Sequence, residues 1–282
     1  MTPAPAPACT AAEALALAQR NGLARLDAQM LLLHVLGRDT HDRAWLLAHG
    51  DHALSDTDHH RYQTLCTQRL DQVPLAYLTG HKAFHGLSLA VDARVLDPRP
   101  DTETLVDWAV ERLTELDSPE ALDLGTGSGA IALALKRACP HAQVNAVDAS
   151  ATALAVARAN GQRLGLPVNW QSGDWLRNHM GGPYDVIASN PPYLAEDDPH
   201  LAALRHEPRT ALVSGADGLR DLRRIVAEAP GHLKPGGWLL LEHGWTQAQA
   251  VRDLLQAAGL ATVQTRRDLS GIERCTGAQR PR

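Results

Sequence analysis

The chain has 282 residues, of which 44% are hydrophobic and 21% charged, and its formal net charge is -5. This composition excludes general disorder, and no run approaches the about 18 apolar residues of a membrane span. The mild negative charge argues against a protein that coats nucleic acid electrostatically, and the length favours two domains or one large one.

The chain's cysteines and histidines show no ligand pattern. Cys9, Cys66, Cys139 and Cys275 form no C-x-x-C pair, which argues against a zinc knuckle or a disulfide framework and favours a reducing cytoplasm. The 14 histidines show no spacing with a carboxylate or thiol partner, so no metal site is expected. Residues 1–8 lack a basic start and predict a frayed tail rather than a signal peptide.

Residues 1–72 predict a small helical domain. Leu15, Leu23, Met30 and Leu33 recur at helical spacing, and the Ser55 position is typical of a helix cap. No catalytic group stands out, so packing or substrate docking is the expected role.

Short apolar segments at 83–84 and 87–91 surround a glycine and predict a β-hairpin linker over residues 73–100.

From residue 101 to 282, apolar strand segments alternate with helical ones. The predicted strands are 121–124, 143–147, 168–171, 185–189 and 237–242, and the helices between them include 130–138 and 151–164. Such alternation predicts an α/β fold of Rossmann-like type, a mostly parallel sheet with helices on both faces.

Three glycines, Gly125, Gly127 and Gly129, stand at a predicted strand-to-helix turn. Glycine lets the backbone approach a ligand closely, and the helix N-terminus behind presents free N–H groups. Asp148 ends the next strand about twenty residues on, where an acid can hold ribose hydroxyls. The pattern favours a nucleoside cofactor. A tight turn without a ligand, or a dinucleotide site of the G-x-G-x-x-A form through Ala130, remains an alternative.

Asp174 and Trp175 follow the third predicted strand. A carboxylate there can accept a hydrogen bond from an adenine amino group, and an indole can stack on the ring. A helix-capping Asp and a core Trp would give the same pattern. Asp123 lies within the first strand, where it either orients the glycine loop or meets the cofactor's charged amino group.

The segment Asn190, Pro191, Pro192 and Tyr193 ends a buried-looking strand. The prolines fix an extended path and supply no N–H, which leaves the Asn190 side-chain oxygen and the Pro191 carbonyl as acceptors. Two rigid acceptors side by side suit a planar –NH2 group, on which the Tyr193 ring can stack. Accepting both hydrogens raises the electron density on the nitrogen and can prepare it to attack a neighbouring sulfonium methyl.

Five segments together resemble the bacterial release factor glutamine methyltransferases (the HemK/PrmC family). They are PLAYLTG at 74–80, PRPDTE at 98–103, LDLGTGSGAIALA at 122–134, SNPPY at 189–193 and LLEHG at 240–244. The resemblance implies a class I methyltransferase that converts S-adenosyl-L-methionine to S-adenosyl-L-homocysteine. It further implies, as substrate, the glutamine of the Gly-Gly-Gln (GGQ) motif of peptide chain release factors 1 and 2.

The resemblance also implies roles for individual residues. It places the cofactor loop on Gly125, Thr126, Gly127, Ser128 and Gly129, the ribose acid on Asp148 and an adenine-side contact on Trp175. Asn190 would be shared between cofactor and substrate. The glutamine clamp would be Asn190, Pro191, Pro192 and Tyr193, with Asn190, Pro191 and Tyr193 as the catalytic residues.

One departure lies beside Arg99, a possible site contact, because Asp97 replaces the family's usual apolar residue and can pair with the guanidinium. The expected protein is a monomer without metal, membrane or direct nucleic-acid substrate. Four alternatives remain: methylation of ribosomal protein L3, N6-adenine-type methylation of nucleic acid, an NAD-type oxidoreductase and a catalytically silent binding module.

Overall fold

The computed structural model describes residues 9–282, so the predicted N-terminal tail lies outside the described residues. The chain divides into two compact units, one ending at Gly80 and the other running from His81 to Arg282. This division falls eight residues beyond the boundary predicted at residue 72, because a further short helix continues the first unit. The predicted hairpin belongs to the second unit.

From residue 9 onward, where the structure describes it, the first unit contains five helices. They are α1 (Ala11–Arg20), α2 (Arg25–Val35), α3 (Arg43–Ala48), α4 (Asp56–Leu70) and α5 (Leu75–Thr79). Thr10 and Glu13 form a capping box at the start of α1, and the Ser55 hydroxyl caps α4 as its sequence position predicts. Leucines of α2, together with Tyr62 of α4, form the core of this unit.

The second unit contains a two-stranded hairpin and a seven-stranded sheet. The hairpin strands are β1 (His81–Phe84) and β2 (Leu87–Ala90). The sheet strands are β3 (Glu120–Leu124), β4 (Gln143–Asp148), β5 (Asn169–Ser172), β6 (Tyr184–Ser189), β7 (Leu233–Glu242), β8 (Ala261–Arg267) and β9 (Glu273–Gln279). Their order across the sheet is β5-β4-β3-β6-β7-β9-β8, and β9 runs in the direction opposite to the other six strands.

Helices cover the sheet on both faces. They are α6 (Glu103–Leu113), α7 (Ala130–Ala138), α8 (Ala151–Leu164), α9 (Arg220–His232) and α10 (Ala248–Ala257). The chain moves outward from β3 to β5 and then returns to β6 and β7 on the other side. Right-handed crossovers therefore put α7 and α8 on one face and α9 on the opposite face.

The predicted α/β fold is confirmed, and so are all five predicted strands, with ends that shift by a few residues. Two further strands were not predicted. β8 has an exposed, Arg- and Thr-containing pattern, and β9 pairs between β7 and β8 without a long apolar run. Their place in the sheet depends on the pairing of β9 with β7 and of β8 with β9 rather than on local sequence.

The fold brings the ends of five strands to one edge. The carboxyl ends of β3, β4, β5, β6 and β7 meet there, and the strand order reverses between β3 and β6. Ligands of open α/β sheets bind at such a reversal. Among the described residues, no helix is long and apolar enough to cross a bilayer.

Candidate active site

A cavity of about 790 Å³ opens at this edge of the second unit. Its wall includes Gly125 and Gly127 of the glycine loop, Asp148 after β4, Trp175 after β5 and Asn190 after β6. The structure therefore brings together, around one cavity, residues that the sequence separates by up to 65 positions.

Gly125 is required by backbone conformation and by a close contact. Its φ is +71°, and a Cβ placed there would lie 3.0 Å from the Trp175 ring. The indole therefore lies directly against the glycine loop, and any side chain at Gly125 would displace it.

Asp148 holds the loop in shape as well as facing the cavity. One carboxylate oxygen accepts the Gly127 N–H at 2.8 Å, and the other accepts the Ser150 N–H at 2.8 Å. Each oxygen keeps a further lone pair for a ligand hydroxyl. The carboxylate is thus fixed in orientation before any ligand binds.

The rest of the predicted cofactor loop does not reach the cavity wall. Thr126 and Ser128 are buried, and Gly129 begins α7 in a left-handed conformation. The Thr126 hydroxyl donates to Asp123 at 2.6 Å rather than facing a ligand. These residues shape the loop, while the cavity contacts come from Gly125 and Gly127.

Asp123 orients the loop, as one of its two predicted roles states. Its Oδ2 accepts from Thr126 and from the Ala132 N–H at 3.1 Å, while its buried Oδ1 has no hydrogen-bond partner among the described residues. Burial raises the pKa of this carboxyl to about 7, although both hydrogen bonds oppose the rise.

Trp175 is fixed by a residue that the sequence analysis missed. It has a left-handed backbone conformation, with φ at +55°, and its indole Nε1 donates to Asp221 of α9 at 3.2 Å. Asp221 also accepts from Ser214 at 2.8 Å. Asp174 forms an ion pair with Arg224 at 2.7 Å, which occupies one of its two oxygens.

Asn190 presents one end of its side-chain amide to a neighbouring turn. Its Nδ2 donates to the Thr102 hydroxyl at 3.1 Å, which leaves Oδ1 on the opposite side of the amide. Neither Asn190 Oδ1 nor the Pro191 carbonyl accepts a hydrogen bond within the described part of the chain. The two predicted acceptors are therefore unpaired, and Asn190 and Pro192 both line the cavity.

Tyr193 is held from its backbone. The Gln247 side chain donates to the Tyr193 carbonyl at 3.0 Å and accepts from the Gly244 N–H at 2.9 Å. Burial raises the pKa of the Tyr193 phenol well above its ordinary value, so the ring stays neutral. Neither Tyr193 nor Pro191 forms part of the cavity wall itself.

Arg99 is engaged by acids rather than open to a ligand. Its guanidinium lies 2.5 Å from Glu207 and 3.6 Å from Asp97, while Lys82 Nζ lies 3.1 Å from Asp97. The expected pairing of Asp97 with Arg99 is present, but Glu207 is the closer partner. This cluster connects the segment before α6 to the long connection after β6.

Sequence reasoning missed Glu207, Asp221 and Gln247 because none stands in a pattern that predicts its partner, and it assigned no role to Thr102 within the PRPDTE segment. Glu242 was quoted within a motif without a role. A lone acid that ends an apolar strand does carry a signal, since Asp148 was predicted from that same position. In the described residues, no group of three or more His, Cys, Asp or Glu side chains could hold a metal ion.

The sheet order, the antiparallel β9 and the glycine loop after β3 define the second unit as a class I methyltransferase. A family model described as "Methyltransferase small domain" matches residues 102–216. The solved structure of a methyltransferase from Pyrococcus furiosus has the same fold, with a TM-score of 0.56 and 19% identity. The match covers 77% of this chain and 100% of that one.

Two curated relatives narrow the class to one family. The release factor glutamine methyltransferase of Bordetella pertussis is 51% identical over 259 residues, covering 91% of this chain and 95% of the relative. The Escherichia coli protein of the same name is 42% identical, with coverages of 94% and 95%. A model described as "PrmC N-terminal domain" matches residues 10–80. The chain belongs to the release factor glutamine methyltransferase family, which confirms the predicted resemblance and excludes the NAD-type oxidoreductase.

Proposed function

We propose that the chain transfers a methyl group from S-adenosyl-L-methionine to the side-chain amide nitrogen (N5) of a glutamine. The substrate is the glutamine in the GGQ motif of peptide chain release factors 1 and 2, and the product cofactor is S-adenosyl-L-homocysteine. The observation that carries the proposal is the pair of unpaired acceptors, Asn190 Oδ1 and the Pro191 carbonyl, at the end of β6.

The cavity fits the cofactor's chemistry. Asp148 offers two oriented carboxylate oxygens for ribose hydroxyls, and Trp175 offers an indole fixed by Asp221 for a flat base. Gly125 and Gly127 give close approach to the main chain, and the Asp123 Oδ1, which has no partner among the described residues, leaves a buried acceptor beneath the loop. The bound cofactor supplies a methyl group on a positively charged sulfonium. No metal is needed, because that charge already activates the methyl group.

The clamp residues prepare the amide nitrogen. An amide is a weak nucleophile since its lone pair is delocalised into the carbonyl. Asn190 Oδ1 and the Pro191 carbonyl accept both N–H hydrogens, which fixes the –NH2 group and raises the electron density on nitrogen. Such fixed placement is worth effective molarities of about 10⁵–10⁸ M in well-oriented systems. Tyr193 stacks on the amide plane and, being neutral, adds no competing charge.

The family and the amide chemistry also support a proposal for where the enzyme acts and what it binds. Release factors act in the cytoplasm, so we place the enzyme there, as a monomer that binds no nucleic acid directly. The helical unit ending at Gly80 would dock the release factor, and the hairpin of β1 and β2 would act as a linker.

Transfer of labelled methyl from S-adenosyl-L-methionine tests the proposal. The acceptors, assayed separately, are the purified release factors, ribosomal protein L3, tRNA and duplex DNA. We expect label on a release factor, lost when its GGQ glutamine is replaced by alanine. Label only on L3 or on a nucleic acid would overturn the substrate, and no transfer with the cofactor still bound would indicate a silent module.

A further inference from the structure

Glu242 is the last residue of β7 and is 1% exposed. Neither of its carboxyl oxygens has a hydrogen-bond partner among the described residues. A buried carboxyl without a partner is costly. The groups around Glu242 should therefore explain why a carboxyl is present at this position.

The Thr102 hydroxyl is the group that complements this carboxyl. Its hydrogen-bonding effect lowers the pKa of Glu242 and so opposes the effect of burial. Thr102 is 4% exposed, and its oxygen accepts the Asn190 Nδ2–H at 3.1 Å. A hydroxyl has one hydrogen to donate, and no other acceptor for it is found within the described residues. In the part of the chain that the structure describes, Thr102 is thus a buried donor without an acceptor, and Glu242 is a buried acceptor without a donor.

The direction in which the Thr102 hydroxyl donates its hydrogen decides the orientation of the Asn190 side-chain amide. When Thr102 donates to Glu242, its lone pairs face Asn190, and only the amide NH2 can satisfy them. The Asn190 oxygen then lies away from Thr102 and is available to the substrate. When Thr102 donates to Asn190 instead, the amide turns over and presents its NH2 to the substrate, which repels a second –NH2 group.

We infer that Glu242, acting through Thr102, is a positioning residue that keeps the oxygen of Asn190 directed at the substrate amide. This inference rests on the proposed function, because it assigns the orientation of that function's acceptor. The ionised carboxylate can only accept, so it enforces the productive direction. The protonated acid can donate to Thr102 and permits the opposite direction.

The charge on Glu242 should therefore control turnover. The charged and titratable groups that face its carboxyl are Arg99, Asp101, Tyr193, Arg274 and Cys275. Burial raises the pKa of Glu242 to about 7, while the two arginines oppose the rise and Asp101 adds to it. The productive form gains population as the pH rises through this value, so kcat should rise with it.

The test uses the full-length enzyme with its release factor acceptor and measures kcat and KM from pH 6 to pH 8.5. Glu242→Gln can both donate and accept, so we expect kcat to fall about tenfold and its rise near neutral pH to disappear. KM for S-adenosyl-L-methionine should stay within about threefold, because Glu242 is not part of the cavity wall. Glu228→Gln is the matched control, since Glu228 on α9 also has a buried oxygen without a partner. It should retain the wild-type profile.

A second pair of variants keeps the inference testable if Glu242→Gln folds poorly. Thr102→Val keeps the shape and removes the hydroxyl, so kcat should fall about 10- to 100-fold at every pH. Thr102→Ser keeps the hydroxyl and should remain within about threefold of the wild type, with its pH profile intact.

The inference is overturned if Glu242→Gln or Thr102→Val keeps the wild-type kcat and pH profile. That result differs from failure of the proposed function, in which the wild-type enzyme itself transfers no methyl group to a release factor.

Discussion

Asp148 has two roles, which a single substitution can test. It holds the glycine loop through Gly127 and Ser150, and it lines the cavity. Asp148→Ala should raise the Kd for S-adenosyl-L-methionine about 10- to 100-fold, because charged hydrogen bonds to the ribose are lost. Isothermal titration calorimetry measures this directly, with Asp117→Asn as the exposed-acid control. An unchanged Kd would contradict the assignment of Asp148 to the ribose.

Gly125 and Gly259 form a matched pair for testing the close contact with Trp175. Their φ values are +71° and +74°, but a Cβ meets the indole only at Gly125 and meets nothing within 4 Å at Gly259. Alanine at either position should cost about 1–3 kcal/mol of stability through backbone strain. Only Gly125→Ala should also raise the cofactor Kd, by about tenfold or more. Equal Kd values for both variants would show that the contact does not matter for binding.

Among individual residues, the sequence predicts those whose position in the site follows from the local sequence pattern. Gly125, Gly127, Asp148 and Asn190 stand at strand ends, and all four line the cavity. The orientation of Asn190 was beyond prediction because its partner, Thr102, lies 88 positions away in the chain. Asp221 was missed for the same reason, since only the fold brings α9 to Trp175.

The connection between β6 and α9 begins with the residues of the proposed clamp. Glu207 anchors it, since one oxygen lies 2.5 Å from the Arg99 guanidinium and the other accepts the Asp97 N–H at 3.1 Å. The Glu207 side chain is 2% exposed. Its removal would therefore leave a partly buried guanidinium without its closest partner.

Glu207→Ala should lower the free energy of unfolding by about 3–5 kcal/mol, as expected for breaking a buried ion pair on one side. Glu207→Gln should cost less, because its amide oxygen still accepts one hydrogen bond. Urea denaturation gives both values. Glu196→Ala, an exposed acid of the same connection, should stay within about 0.5 kcal/mol of the wild type. If Glu207→Ala lowers the free energy of unfolding no more than this control does, the contacts of Glu207 do not stabilise the fold.

Among the five parallel strands, β3, β4, β6 and β7 were predictable because at least half of their residues are buried and apolar residues recur along them. β5 is the least buried of them and was still recognisable between two turn signals. β8 is largely exposed and lies at the sheet edge, so its alternation of Thr, Gln and Arg resembles a polar loop. Its strand character comes from pairing with β9.

For the whole molecule, two buried carboxyls link stability to pH. Burial raises the pKa values of Asp123 and Glu242 to about 7, above the ordinary values of 3.8 and 4.5. The folded state therefore holds their protons more tightly than the unfolded state. Their contribution to stability is complete below the unfolded pKa and is lost as the pH rises to about 7.

Glu242→Gln removes one of these groups and should make stability less dependent on pH. The wild-type free energy of unfolding should fall relative to that of the variant between pH 5 and pH 7.5, by at most about 1.4 kcal/mol per pH unit. Urea denaturation at several pH values measures the difference. Asp117→Asn makes the same change of charge on the surface and should parallel the wild type. A wild-type curve parallel to that of Glu242→Gln would contradict the raised pKa.

The change in sequence periodicity predicts a helical domain followed by a methyltransferase domain with the boundary at residue 72, and the chain divides into compact units after Gly80. The difference is α5, which has only five residues and follows a proline, so its sequence carries little helical signal. The roles of the first unit in docking and of the hairpin as a linker stay predictions.

The central claim is that Asn190 and the Pro191 carbonyl hold a planar –NH2 group for methyl transfer. The most direct test measures the single-turnover rate and the cofactor Kd of Asn190→Ala on one preparation, with Asn169→Ala as an exposed control. The account predicts a rate at least about 100-fold lower, with a Kd within about threefold of the wild type. Full turnover by Asn190→Ala would contradict the clamp.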